Sequence, residues 1–119
     1  MMGIGAQATP CTITPQGSTR IFVIFTGNVR NTANNAGANI ILRYGTGTAP
    51  INGAAQTGTQ ASGPLGFTAA APGQQVPFAA QSLIGSLTIG TTYWIDLSLN
   101  VVTGGTASIT QVSCSAFEV

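Results

Sequence analysis

The chain has 119 residues with three Arg, two acids, no Lys and no His, a charged fraction of 4% where soluble domains average about 25%. That inventory excludes most acid–base enzymology, which relies on His, Lys or a tuned carboxylate titrating near the working pH. It also excludes an electrostatic partner: the net charge is +1, and Arg20, Arg30 and Arg43 do not cluster as nucleic acid or an anionic membrane surface requires.

Residues 1–10 read as a flexible N-terminal arm ending at Pro10, ahead of one domain over 11–119. The start has neither a basic region nor an apolar stretch of the secretory type, so folding in a cytoplasm is expected. A short strand is predicted at Cys11–Thr14, turning at Pro15-Gln16-Gly17. Thr19–Gly27 is the first long strand, with Ile21, Val23 and Phe25 on one face and Phe22 and Ile24 on the other. A strand apolar on both faces is covered on both sides, and in so small a domain the second cover is expected to be another subunit. The run Ile21–Phe25 is far shorter than the roughly 20 residues of a spanning helix.

Asn28–Ala38 reads as a polar loop and Asn39–Tyr44 as the next strand. Gly45–Gln75 offers little to bury and many turn signals; one or two short strands are expected within it, around Ala54–Thr59 and Gly66–Ala70. Val76–Ile84 is a strand, and Leu87–Thr91 a tight corner into Thr92–Val102. There Tyr93, Ile95, Leu97, Leu99 and Val101 face one way, and Trp94, Asp96, Ser98 and Asn100 the other. Thr103-Gly104-Gly105-Thr106 is a hairpin turn whose glycines supply positive φ. The last strand is Ala107–Phe117, and its apolar set changes phase, which predicts a bulge near Thr110-Gln111. The pattern is an all-β chain, a single antiparallel β-sandwich of seven to eight strands.

Cys11 and Cys114 bracket the domain. They are either two reduced, partly buried thiols or a bond tying the first strand to the last. Such a bond closes a loop of about 100 residues and contributes about 4.7 kcal/mol in the chain-entropy model. Two thiols without His or nearby carboxylates fill no tetrahedral metal site. Gly45-Thr46-Gly47-Thr48 lacks the Gly-Lys-Ser/Thr of a phosphate loop, so no cofactor is expected. Asp96 is expected to pair with Arg20 or Arg43. Glu118, the only other carboxylate, stands near the chain end, which leaves a two-carboxylate glycosidase without its pair. Ser and Thr hydroxyls have no base to activate them, and the chain is read as not an enzyme. Phe22, Ile24, Tyr44, Trp94 and Asp96 are the candidate subunit or ligand surface. In a binding role Trp94 would stack on a sugar ring, with Asp96 and Asn100 taking its hydroxyls.

Leu87–Tyr93 is similar to the tyrosine corner of fibronectin type III-like sandwiches, the alternative fold. The segments Leu42–Pro50, Val76-Pro77-Phe78, Leu87–Leu97, Val102–Ala107 and Ser115–Val119 together resemble small virion proteins of tailed bacteriophages. The likeness spans most of residues 19–119. It implies a jelly-roll sandwich that forms a homotrimer and acts as a capsid decoration or head-fibre protein. The major capsid protein or another virion protein would be its partner, and the virion, assembled in the host cytoplasm, its location. The alternative role is a receptor- or glycan-binding fibre-tip or adhesin module.

Overall fold

Period-two alternation of apolar residues sets the architecture. In the computed structural model, which covers residues 1–119, eight strands follow a single 3-10 turn at Ile4–Ala6. They are β1 (Thr12–Ile13), β2 (Ile21–Asn31), β3 (Ala36–Thr46), β4 (Thr59–Gln60), β5 (Leu65–Ala69), β6 (Val76–Ile84), β7 (Tyr93–Val102) and β8 (Ala107–Glu118). One sheet, A, runs β1-β7-β3-β4, with β5 also on β3; the other, B, runs β6-β2-β8. Every pairing is antiparallel.

The wiring distinguishes between the two expected sandwiches. β3 pairs with β5, β2 with β6 and β1 with β7, as in a chain doubled back at β4 and rolled so that successive pairs alternate between sheets. This is a jelly roll. A fibronectin-type sandwich keeps its last two strands in one sheet, whereas here β8 leaves the sheet of β7 and pairs with β2. Thr103–Thr106 is therefore a crossing between sheets and not the turn of a hairpin. Thr103, Gly104 and Gly105 all have positive φ there, which lets the chain reverse in so few residues.

The core lies where the inner faces meet. Ile21, Val23, Phe25 and Val29 of β2 share one buried cluster with Ala38, Ile40 and Leu42 of β3 and Ile95 and Leu97 of β7. The expected bulge is present: β8 shifts register against β2 between Thr26 and Asn28, and Gln111 takes φ 54°. That extra residue moves the inward set from Ile109 to Val112, Cys114 and Ala116.

Besides the Thr103–Thr106 turn, three expectations about the elements are corrected. β2 continues to Asn31 and β3 begins at Ala36, so most of the predicted Asn28–Ala38 loop is strand. Asn31 and Ala38 look like loop residues, yet both are fully buried. The Asn31 side-chain amide donates to the carbonyls of Gly37 and Gly104, 3.0 Å each, and its oxygen accepts from Ala33 at 2.9 Å. Small side chains and a satisfied amide take the place of bulk. Residues 54–58 form no strand, and only Thr59–Gln60 pairs there.

The third correction concerns the arm. Met1, Gly3, Ile4 and Gly5 are buried against sheet A, and only Ala6–Pro10 is exposed. Ile4 enters the core cluster, Met2 donates to the Leu97 carbonyl at 2.9 Å, and Cys11 donates to that of Ile4 at 3.4 Å. The segment prolongs the edge that β1 begins along β7.

Cys11 and Cys114 form a disulfide, with their Cα atoms 6.1 Å apart and a sequence separation of 103. It fastens the N-terminal segment to β8 across the two sheets. Replacing both cysteines by serine is expected to cost about 2–5 kcal/mol, read as a lowered urea midpoint; reductant should then have no further effect.

Candidate functional site

The two sheets treat their outer faces differently. On sheet A, alternation aims Trp94, Asp96 and Ser98 away from the core, yet Trp94 is 4% exposed and the other two 0%. The chain covers this stripe itself. The indole of Trp94 lies across its cross-strand neighbour Gly45 and beneath Gly58. A Cβ on Gly45 would stand 2.5 Å from the ring and one on Gly58 2.3 Å, so only glycine admits this approach. The Trp94 Nε1 donates to the Thr46 carbonyl at 3.1 Å.

Asp96 sits at the edge of β7, where residues 3 and 4 pass. Its carboxylate accepts from the backbone N–H groups of Gly3 at 2.9 Å, Ile4 at 3.1 Å and Leu97 at 2.7 Å. Arg43 is its register partner on β3 but turns elsewhere. The guanidinium donates to Ser98 Oγ at 3.3 Å, to the Gly58 carbonyl at 3.0 Å and to Gln56 Oε1 at 3.3 Å. The expected pairing of Asp96 with Arg43 or Arg20 is thus replaced by backbone donors, because the docked segment brings N–H groups that would otherwise be buried unsatisfied. Burial pushes the Asp96 carboxyl above its ordinary range, although the amides of Ile4, Leu97 and Gly3 pull the other way.

Glu118, near the chain end, is also held by amides. Its carboxylate accepts from the N–H groups of Gln16, of Gly17 at 3.0 Å and of Ser18 at 3.4 Å. The donors at Gly17 and Gln16 hold its pKa below the usual carboxylate range. Tyr93 completes the expected corner: its hydroxyl accepts from the Thr88 N–H at 3.0 Å. Tyr44 lies half-buried at the open end of the inner face, its ring 6.1 Å from that of Tyr93.

Sheet B has no such cover. Phe22 of β2 stands between Leu83 of β6 and Phe117 of β8, with the two Phe ring centroids 5.7 Å apart. Leu83, Phe117 and Val119 are 49%, 48% and 53% exposed. Together with Phe22 and Arg20 they line a shallow, open depression. Ile24 follows on the same face, between Gln81 and Ser115. The candidate surface residues therefore divide: Phe22 and Ile24 lie on an open face, while Trp94 and Asp96 lie beneath the chain's own cover and present no surface.

Leu83, Phe117 and Val119 were not singled out from sequence. The available signal was phase, since Leu83 alternates with buried Ile84 and Phe117 with the inward Ala116. Comparison with protein-family models, with curated proteins and with solved structures finds no match to this chain.

Asp96→Asn keeps the shape but turns an N–H₂ toward a backbone N–H. It is expected to cost about 1–3 kcal/mol in chemical denaturation and to speed amide exchange at Gly3 and Ile4. The two carboxyls also oppose each other in pH dependence. The raised Asp96 contributes stability that is present below the ordinary carboxylate range and lost as pH rises through its folded value. The lowered Glu118 contributes stability that is present above that range and lost as pH falls through its folded value. Denaturation midpoints should therefore rise on mild acidification and fall on strong acidification. Asp96→Asn should abolish the rise, and Glu118→Gln should reduce the fall.

Proposed function

We propose that this chain is a non-enzymatic structural protein of a tailed bacteriophage virion, a capsid decoration or head-fibre protein that assembles as a homotrimer and docks on the shell. The observation that carries this reading is the open apolar face of sheet B, with Phe22, Leu83, Phe117 and Val119 side by side in a chain with five charged residues. Contiguous apolar patches rimmed by polar residues mark association sites, and a face whose lining is four apolar side chains and Arg20 matches a partner chiefly by shape and apolar contact. Oligomers with closed symmetry bury such faces against copies of themselves.

The use of the acids supports the same reading. Both carboxylates serve to hold backbone amides, Asp96 beneath the N-terminal segment and Glu118 at the turn after β1. Asp96 is wholly buried, and Glu118 spends one carboxylate oxygen on the turn. The glycan-binding alternative loses its central residue, because Trp94 stacks on the chain's own glycines; what is left to that role is the loop between β3 and β4.

Native mass spectrometry at micromolar concentration tests the self-association. Wild type is expected as a trimer or a multiple of three, and Leu83→Glu, which puts a charge on the open face without entering the core, is expected to dissociate it. Sedimentation with decoration-free capsids of tailed phages tests docking, with a glycan array run in parallel. A monomer that ignores capsids and binds glycans would replace the proposal with the adhesin reading.

A further inference from the structure

The rolled pairing leaves one position open. β5, β6 and β7 each pair with a strand from the first half of the chain, namely β3, β2 and β1. The next in that series, β8, has β2 on one side and no strand on the other. Elsewhere the edges are guarded. β6 carries Pro77, and the segment 61–65 lies against it, with the Ala61 carbonyl accepting from Ser82 at 2.5 Å. β1 and β4 are two residues long and β5, paired only with β3, is five; beyond β1 the edge of β7 is closed by Met2. β8 is the longest strand in the molecule, yet from Ala107 to Phe117 it holds no proline and no charge. Natural proteins ordinarily blunt a long edge with such residues or with a covering loop.

We propose that β8 is a pairing edge for a second copy of this chain, strand to strand and antiparallel about a two-fold axis. The backbone says which groups are free. Val119 donates to the Arg20 carbonyl at 3.2 Å. In an antiparallel ladder the N–H and C=O groups of Phe117, Ser115 and Ser113 therefore also face β2, while those of Cys114 and Ala116 face outward. With Ser115 opposite Ser115 of the second copy, Cys114 of each copy meets Ala116 of the other and the free groups join. The bulge at Gln111 ends the straight stretch, so the shared ladder covers Val112–Glu118.

The side chains and the wiring both favour a copy as the occupant. Ser113 and Ser115 are small, and with Ser115 opposite Ser115 the only charge on the strand, Glu118, falls opposite Val112 of the copy, so the two carboxylates lie at opposite ends of the shared ladder and do not repel at close range. Val112, Cys114 and Ala116 face inward but are half-exposed, above a cleft of about 290 Å³ that runs from Val112 and Cys114 to Ile4 and Pro10. An added strand covers them. A foreign single strand would only move the open edge one place outward; a copy closes the β8 edges of both molecules in one contact. Edge pairing is independent of the virion reading, and combined with a trimer built on the open face it gives assemblies of six.

Ala116→Pro tests this directly. It removes an outward N–H that β2 does not use, at an edge position where proline is tolerated. Ser115→Pro, which removes an N–H bonded to β2, is the control and should destabilise the fold itself. Wild type is expected in even-numbered species by sedimentation velocity, and Ala116→Pro should halve the mass with its circular dichroism and disulfide unchanged. The amides of Cys114 and Ala116 should exchange about tenfold or more slowly in assembled wild type than after dilution to the dissociated form. This second measurement decides the matter if the proline variant fails to fold. Odd-numbered or monomeric wild type, with fast exchange at Cys114 and Ala116 at all concentrations, would overturn the proposal.

Discussion

The contact between the inner face of β2 and the paired strands β3 and β7 is what the remaining structure is built around. Ile21, Val23, Phe25 and Val29 meet Ile40, Leu42, Ile95 and Leu97 with no polar atom among these side chains. Burying a side chain of this size is worth about 1.5–3 kcal/mol, and the contact gathers eight of them. Once that face is closed, each further element has a fixed place. β6 and β8 flank β2, β1 and the N-terminal segment flank β7, and the loop after β3 folds back over sheet A.

Scarcity of charge shapes how the polar parts are held. A chain with ordinary composition would tie its edges and loops with ion pairs; this one uses carboxylates as acceptors for main-chain donors. Asp96 gathers Gly3, Ile4 and Leu97, Glu118 gathers residues 16–18, and Arg43 spends its donors on Ser98, Gln56 and the Gly58 carbonyl. These bonds do not depend on a partner of opposite sign. The result is a surface poor in charge without being loosely held.

The strands with strong alternation were legible: β2, β6, β7 and β8 could be read from phase alone, including the change of phase that marks the bulge. What escaped was carried by small residues and by long-range contact. Ala36, Gly37 and Ala38 give no hydrophobic signal, yet they are the start of β3, because Asn31 satisfies the backbone that bulkier residues would displace. The fate of the Trp94 stripe was equally hidden. Alternation correctly put Trp94 and Asp96 opposite the core, but no local pattern says that residues 1–5 and 47–58 return to lie on them. On sheet B the same reasoning held for Phe22 and Ile24 and missed Leu83 and Phe117, which come from strands far away in sequence.

The single indole of the chain is wedged between two glycines, beneath the segment that closes sheet A and away from the inter-sheet cluster. Its emission is therefore a built-in optical gauge of that lid. Loosening of residues 1–5 or of the loop at Gly58 admits water to the ring while the interior between the sheets stays dry. Tyr44 and Tyr93, at the other face, lie within the sandwich. Exciting the indole alone, at the red edge of its absorption, therefore reports detachment of the outer wrapping, while the near-ultraviolet circular dichroism of the tyrosines follows melting of the body within.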